Sequence, residues 1–139
     1  MSSGERVIRS PGDDEAIAFL REIVAIPSPS TREQEVAAHS VAVMRALGFE
    51  AEVDTVGNAV GRLGAGQREA LLLGHIDTAP GLAPLRLDQG RLHGRGAVDA
   101  KGPFATFIMA AARAAAAGLA NLRITVVGAV EEEAATSRG

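Results

Sequence analysis

Apolar residues recur at three-to-four-residue intervals in the first third of the chain, and this spacing predicts two amphipathic helices. The first, over residues 13–26, begins with three acidic residues, which favour a helix N-terminus. The second takes Ser30 or Thr31 as its N-cap and continues to about Leu47. A third, alanine-rich helix is predicted over residues 103–117.

Short apolar runs and alternating segments occupy the rest of the chain and predict β-strands. We predict strands over residues 51–55, 59–63, 70–73 and 122–130, and a β-hairpin over residues 85–92. The run at 70–73 (ALLL) is apolar throughout, which is typical of a strand buried on both faces. Helices that alternate with buried strands indicate an α/β fold, and we predict a mixed, mainly parallel sheet with helices on both faces.

Composition is that of a globular protein of one domain, because the 139 residues include 47% hydrophobic and 22% charged side chains. A net charge of −3 and an aromatic share of 3% argue against a nucleic-acid partner, which needs a basic or base-stacking surface. The absence of cysteine excludes disulfides, thiolate zinc sites and cysteine nucleophiles. There is no secretory signal and no run of about 18 apolar residues, so we expect no membrane contact and a cytoplasmic location.

Three polar clusters lie where buried strands end, and open α/β sheets bind ligands at the carboxyl ends of their strands. The first is the segment 74–77 (GHID), in which His75 and Asp77 share one face of an extended chain. A carboxylate beside an imidazole fixes its tautomer and strengthens it as a metal ligand. An isolated pair of this kind is, however, more often a structural histidine that is hydrogen-bonded by its neighbour.

The second cluster is the glycine-rich segment 94–102 (GRGAVDAKG), which leads into the alanine-rich helix. Asp99 lies just before that helix, so it is either a functional carboxylate or an N-cap on a glycine-rich turn. A dinucleotide-binding loop is excluded, because Asp99 occupies the third glycine position of the G-x-G-x-x-G pattern. The chain has no phosphate-binding loop of the Walker type either.

The third cluster is the carboxylate run 131–133 (EEE), directly after the strand predicted at 122–130. Three adjacent carboxylates repel one another at the end of a buried strand, and a divalent cation is the simplest compensation. Carboxylates together with one imidazole suit Zn, Co or Mn. The three clusters therefore form the inventory of a co-catalytic two-metal hydrolase, in which a further carboxylate serves as general base.

In their order along the chain, GHIDTAPG, GRGAVDAKG and EEEAATSRG resemble the motifs of the metallopeptidase family of carboxypeptidase G, acetylornithine deacetylase and succinyl-diaminopimelate desuccinylase. The resemblance implies a zinc-peptidase-like fold and two divalent metal ions, Zn or Co. It implies that His75 ligates one metal, that Glu133 ligates the other and that Asp99 bridges them. It also implies that Asp77 orients His75 and that Glu132 is the general base that activates the attacking water.

Further segments narrow the resemblance to one group within the family. IPSPS, GNAVGRLG and VEEEA, with the short segment 78–93, are most similar to lysine/ornithine hydrolases of the amino-group carrier protein pathway, often labelled acetyl-lysine deacetylases. This similarity implies hydrolysis of the amide that joins lysine or ornithine to the carrier's terminal glutamate, in lysine or arginine biosynthesis. In the family the peptide bond after the bridging aspartate is commonly cis, so a cis bond is expected between Asp99 and Ala100.

The family also uses a downstream carboxylate ligand, a histidine near its C-terminus and an inserted lid or dimerisation domain, which we expect to lie outside residues 1–139. The two protein ligands then left for each metal are fewer than the three of an ordinary catalytic zinc site. We therefore expect residues 1–139 to be the N-terminal portion of the catalytic domain of a homodimeric parent. By itself this portion would bind metal weakly, lack activity and leave apolar sheet surface uncovered.

The sequence leaves three other interpretations open. In the first, the parent is an N-acyl amino acid deacylase of the acetylornithine deacetylase or desuccinylase type, which acts on a small acylated amino acid. In the second, the chain is a catalytically silent α/β module that binds the carrier protein. In the third, it is a structural α/β domain whose acidic strand end is a solvated edge.

Overall fold

The computed structural model describes residues 6–139, which form three helices, a four-stranded sheet and a separate two-stranded sheet. The helices are α1 (Asp13–Ala25), α2 (Gln34–Ala46) and α3 (Lys101–Ala117). The strands are β1 (Glu50–Val53), β2 (Ala59–Leu63), β3 (Arg68–His75), β4 (Arg86–Asp88), β5 (Arg91–His93) and β6 (Leu122–Ala129). The predicted α/β class is confirmed. Within the described residues no helix is long and apolar enough to cross a membrane.

The four-stranded sheet has the order β1-β2-β6-β3 and is mixed, as predicted. β3 and β6 pair in parallel, whereas β2 is antiparallel to both β1 and β6. The described sheet is therefore not mainly parallel, which corrects that part of the prediction. The turn at residues 54–58 is too short for a crossover and makes β1 and β2 antiparallel, while α3 supplies the crossover between β3 and β6.

Helices α2 and α3 pack on the same face of this sheet. A side chain at Gly61 of β2 would collide with Met44 of α2, and one at Gly128 of β6 would collide with Phe104 of α3. The strand register places both glycines on one face. Because α1 packs against α2 and α3, the described helices cover one face only, which corrects the prediction of helices on both faces.

The opposite face of the sheet is open along β3, where Leu71 is 59% and Leu73 is 60% exposed. In the described residues the ALLL run is thus half-buried on one face and exposed on the other, and the expectation of burial on both faces is corrected. An apolar run shows that both faces of a strand disfavour water, but it does not identify the element that covers each face.

Helix α2 begins at Gln34, later than predicted from an N-cap at Ser30 or Thr31. Thr31 has a φ of 76°, in the left-handed region, so the chain cannot enter a right-handed helix there. Glu33 is the N-cap residue instead, and its side chain makes no capping hydrogen bond to α2.

The hairpin predicted at residues 85–92 is confirmed as β4 and β5, which pair antiparallel. Its turn consists of Gln89 and Gly90, with φ of 48° and 74°. Positive φ at both central residues is typical of the two-residue turns that match the twist of a hairpin.

The core lies between the covered sheet face and the three helices. Its large, fully buried apolar side chains come from every layer: Ile23, Val36, Met44, Phe49, Phe104, Ile108 and Val126. Burial of each such side chain contributes about 1.5–3 kcal/mol. This packing fixes the carboxyl ends of β3 and β6 relative to the N-terminus of α3, and the three polar clusters lie at these points.

Candidate metal centre

The three polar clusters meet at one edge of the sheet. Because β3 and β6 are parallel and His75 pairs with Ala129, the carboxyl ends of the two strands lie side by side. His75 is the last residue of β3, and residues 131–133 follow β6 after one intervening residue. Asp99 comes from the loop that leads into α3. The sheet therefore brings together clusters that are far apart in sequence, as the carboxyl-end rule predicts.

A single imidazole lies at the centre of this group. His75 Nε2 is 2.8 Å from Asp99 Oδ1 and 3.5 Å from Glu132 Oε2. One ligand atom from each of His75, Asp99 and Glu133 lies within 4.8 Å of the other two. Among residues 6–139 no second group of three such donors lies this close together. The structure thus assembles the three residues for which the resemblance implies metal ligation.

The charge around His75 favours a bound cation. Three carboxylates, from Asp99, Glu132 and Glu133, surround one imidazole, and the Asp99 side chain is 72% exposed. Burial lowers the pKa of His75, but the hydrogen bond with Asp99 and the carbonyl and carboxylates nearby outweigh burial and raise it above its ordinary value. One imidazole with several carboxylates is a donor set that Zn, Co and Mn accept. The residues present therefore fit a divalent metal.

Asp77 is fully buried behind His75 and supports its ring. The Asp77 carboxylate lies 3.2 Å from His75 Nδ1, and the Asp77 carbonyl lies 3.0 Å from the same nitrogen. With one ring proton held on Nδ1 by Asp77, Nε2 faces the Asp99 carboxylate and can bind a metal once it gives up its own proton. Burial raises the pKa of Asp77, but hydrogen bonds from the Ser30 hydroxyl and from the backbone N–H groups of Glu133 and Glu132 outweigh burial and lower it. Asp77 is therefore an anion at neutral pH.

The segment that carries all three motifs, residues 71–139, matches the model of a family described as Peptidase family M20/M25/M40. The chain belongs to this family. The resemblance that the motifs carry is thereby confirmed, and His75, Asp99 and Glu133 all lie inside the matched segment.

Two curated relatives resemble the chain over most of its length. A Deinococcus radiodurans protein named LysW-lysine hydrolase is 47% identical over 131 residues, which cover 94% of this chain and 36% of that protein. A Saccharolobus islandicus protein named LysW-lysine/LysW-ornithine hydrolase is 30% identical over 120 residues, which cover 81% of this chain and 34% of that protein. The chain thus spans about a third of the length of these curated relatives.

A solved structure of the M20 family shares the fold. The YXEP protein of Bacillus subtilis, described as a dinuclear metal-binding peptidase, aligns with a TM-score of 0.66 at 17% sequence identity. The alignment covers 86% of this chain and 36% of that one. Dinuclear metal binding thus occurs within the family.

Asp99 does not cap helix α3 in this M20 chain. The N-cap residue is Ala100, and no side chain caps the helix. The interpretation of Asp99 as an N-cap carboxylate is therefore wrong, and its side chain faces His75 instead. The peptide bond between Asp99 and Ala100 is cis, as the resemblance implies.

Two buried polar residues next to the centre were missed by the sequence reasoning. Glu33 is 3% exposed, although its position before α2 is typical of a solvated helix start. Asn58 is also buried, although its place in the β1–β2 turn is explained by turn geometry alone. Both side chains accept a backbone N–H from the loop after β6. No local pattern signals these contacts, because each joins segments distant in sequence.

Lys101, the one lysine of the chain, is buried at the start of α3. Its Nζ donates a hydrogen bond of 2.6 Å to the carbonyl oxygen of Ile26, and burial lowers its pKa to about 8. The contact joins the end of α1 to the first turn of α3. Lys101 thereby supports the helix that follows Asp99.

A groove of about 450 Å³ opens beside the carboxylates of Asp99 and Glu133. Its walls include Ala79, His93 and Arg95. The two carboxylates thus face open space of a size that can admit a small ligand.

Proposed function

We propose that the parent of this chain is a metal-dependent amidohydrolase that releases lysine or ornithine from an amino-group carrier protein. The observation that carries the proposal is the convergence of Asp99, Glu132 and Glu133 on His75 at the carboxyl edge of β3 and β6. Membership of the M20 family supports the reaction type. The names of the relatives, which specify LysW-lysine and LysW-ornithine hydrolysis, support the substrate class.

His75 would hold one divalent ion, Glu133 would hold a second, and Asp99 would hold both. When bound, Zn or Co ions would polarise the amide carbonyl and lower the pKa of the attacking water. Either metal accepts imidazole and carboxylate ligands, so the same three side chains serve both. The buried carboxylate of Asp77 holds the ring of His75 with Nε2 toward this centre.

Glu132 is the general base in this proposal. Its carboxylate lies 3.5 Å from His75 Nε2, and its backbone N–H is held by Asp77. It takes a proton from the attacking water as the oxygen–carbon bond forms. It then gives this proton to the amide nitrogen as the carbon–nitrogen bond breaks. The second proton of the water is released as the new carboxyl group ionises. The products are a carboxylate on the carrier and a free amine, lysine or ornithine.

We further propose that residues 1–139 are the N-terminal portion of the catalytic domain of a cytoplasmic homodimer. Two observations support this extent. The chain spans about a third of its curated relatives, and three donors are fewer than two complete sets of three protein ligands. The 139-residue chain alone should bind Zn²⁺ weakly in calorimetry and hydrolyse no amide, and turnover by this chain alone would overturn the proposal.

The protein at its natural length tests the reaction and the substrate. Hydrolysis of carrier-linked lysine without hydrolysis of N-acetylornithine supports the carrier hydrolase, and the reverse result indicates a small-substrate deacylase. Glu132→Gln should lower kcat about 10²–10⁴-fold with metal content unchanged, because an amide cannot take the proton. Glu69→Gln, at the other end of β3, is the control and should keep the wild-type kcat. Carrier binding without any hydrolysis would replace the proposal by the silent binding module.

A further inference from the structure

The loop that carries Glu132 and Glu133 is held by an unusual run of contacts. Four successive backbone N–H groups, at positions 130 to 133, each donate to a side-chain oxygen from another part of the chain. The acceptors, in order, are Asn58 Oδ1 at 3.0 Å, Glu33 Oε1 at 3.0 Å, Asp77 Oδ1 at 3.1 Å and Asp77 Oδ2 at 2.9 Å.

This stretch needs such acceptors because it lies outside regular structure. β6 ends at Ala129, so the sheet ladder no longer supplies partners for the N–H groups that follow. Glu131 has a φ of 56°, a left-handed conformation that a non-glycine residue adopts only when its surroundings hold it. The directions of the next two side chains therefore depend on how this backbone is fixed.

Of the three residues that accept these N–H groups, Glu33 is the one whose burial near the site has no other explanation. Unlike Asp77, it does not touch His75, and although it is the N-cap residue of α2 its side chain does not cap that helix. Its Oε1 atom accepts the N–H of Thr31 at 2.9 Å and the N–H of Glu131 at 3.0 Å. A buried carboxylate is costly unless it is well hydrogen-bonded, so these two contacts account for its placement.

The same oxygen joins two segments that both support the centre. The loop held through Thr31 carries Ser30, whose hydroxyl donates a hydrogen bond of 2.6 Å to Asp77. Glu33 thus ties the segment behind Asp77 to the segment that bears the two reactive carboxylates.

We propose that Glu33 is a positioning residue for the metal centre, acting through the N–H of Glu131 to fix the backbone from which Glu132 and Glu133 extend. The catalytic part of this inference rests on the proposed function. Both hydrogen bonds end on one oxygen, Oε1, so the required property is an acceptor at this reach and not the negative charge. Glutamine keeps that oxygen in place, whereas aspartate keeps the charge but is one methylene too short.

The test compares Glu33→Gln, Glu33→Asp and Glu33→Ala in the protein at its natural length. Ser40→Ala is the matched control, because Ser40 is a fully buried polar residue of α2 that bonds within its own helix, to the Val36 carbonyl. Three properties are measured: amide hydrogen exchange across residues 130–133 without metal, Co²⁺ affinity with its visible absorption spectrum, and kcat and KM separately.

A side chain at position 33 that is too short to reach the N–H of Glu131 should loosen the loop after β6, whether or not it carries a negative charge. Glu33→Asp and Glu33→Ala should exchange residue 131 about tenfold faster or more and bind Co²⁺ about 10–100-fold more weakly with an altered spectrum. Their kcat should fall about 10–100-fold with KM within about threefold of wild type. Glu33→Gln and Ser40→Ala should stay within about threefold of wild type in all three properties.

Two results would overturn the proposal. One is a Glu33→Asp protein with wild-type exchange and Co²⁺ spectrum, and the other is a Glu33→Gln protein as impaired as the aspartate variant. If the alanine variant does not fold, the glutamine and aspartate variants still decide the question. If the wild type hydrolyses neither amide, the proposed function fails, and exchange and Co²⁺ binding still decide the role of Glu33.

Discussion

The parallel pair β3 and β6 has two ends that differ in chemistry although the same strands form both. At the amino end, the Glu69 carboxylate accepts one hydrogen bond, from the Thr125 hydroxyl, and the Asn121 side chain accepts the N–H of Gln67. At the carboxyl end, three carboxylates converge on one imidazole, and a buried carboxylate supports them from behind. What a carboxylate in this chain can do chemically thus depends on the end of the sheet at which it lies, and not on its residue type.

The difference follows from sheet polarity. The crossover through α3 leaves the loops after β3 and β6, and the loop before α3, on one edge. The opposite edge receives only the connections that enter the strands. Substitutions at the two ends should therefore have very different effects.

The largest effect should come from His75→Ala. Removal of the central imidazole takes away a metal donor, so metal affinity should fall more than the 10–100-fold, roughly, that loss of a supporting residue causes. Calorimetric titration of the natural-length protein with Zn²⁺ measures this change. Glu69→Gln, at the amino end, should bind Zn²⁺ as the wild type does, and equal losses in both variants would contradict the difference between the ends.

Asp77→Asn should have the next largest effect. The carboxylate accepts N–H groups on both oxygens, so an amide places one donor against another and removes the charge beside His75. We expect metal affinity about 10–100-fold lower and a free energy of unfolding about 1–3 kcal/mol smaller. Urea unfolding without metal separates the second loss from the first. Unchanged affinity at full folding would show that Asp77 does not orient the ring.

Leu73→Ser probes the open face of the sheet. In the 139-residue chain this side chain is exposed, so its replacement should change the free energy of unfolding by only about 0.5 kcal/mol. If further chain covers this face in the parent, the same change there should cost about 2 kcal/mol or more. Leu72→Ser, on the helix-covered face, is the control and should destabilise both proteins. Equal, small losses for Leu73→Ser in both proteins would argue against such a cover.

The smallest effect should be a pH dependence in the β1–β2 turn. Burial raises the pKa of Asp54, but hydrogen bonds from Asn58 and from the backbone N–H groups of Gly57 and Val56 outweigh burial and lower it. Because the folded pKa is depressed, this stabilisation is complete above the unfolded pKa of about 3.9 and is lost as pH falls through the folded value.

Asp54→Asn isolates that contribution. The difference in unfolding free energy between wild type and variant should be within about 1 kcal/mol at pH 6 and shrink as pH falls below about 4. Chemical unfolding of the metal-free protein at several pH values measures it. A difference that stays constant over this range would contradict the assigned cause.

Much of the site could be predicted because its chemistry is local in sequence. His75 and Asp77 are two residues apart on a strand end, and the carboxylates at 131–133 follow a strand directly, so residue type and position were enough. The helices and the β4–β5 hairpin followed from spacing and turn residues for the same reason. The role of each site residue stays a prediction.

Other features could not be predicted because they depend on contacts between distant segments. Which elements pack together decides the strand order, the open face at Leu73 and the burial of Glu33. The type of an apolar or charged residue does not indicate which distant residue it will contact. Residue type can mislead even within one short segment. Thr31 is of a type that favours an N-cap, but its left-handed φ excludes a helix that starts there.

The contacts that hold the loop after β6 also have a consequence for how the chain folds. They join residues 98, 72 and 56 positions apart in sequence, through Glu33, Asn58 and Asp77 respectively. Contacts of such long separation close large loops and form slowly. During synthesis, the earlier segments leave the ribosome well before residues 131–133. The candidate metal centre is thus among the last parts of this chain that can form. If it binds metal as proposed, metal binding during folding would show that the preceding segments have already packed together.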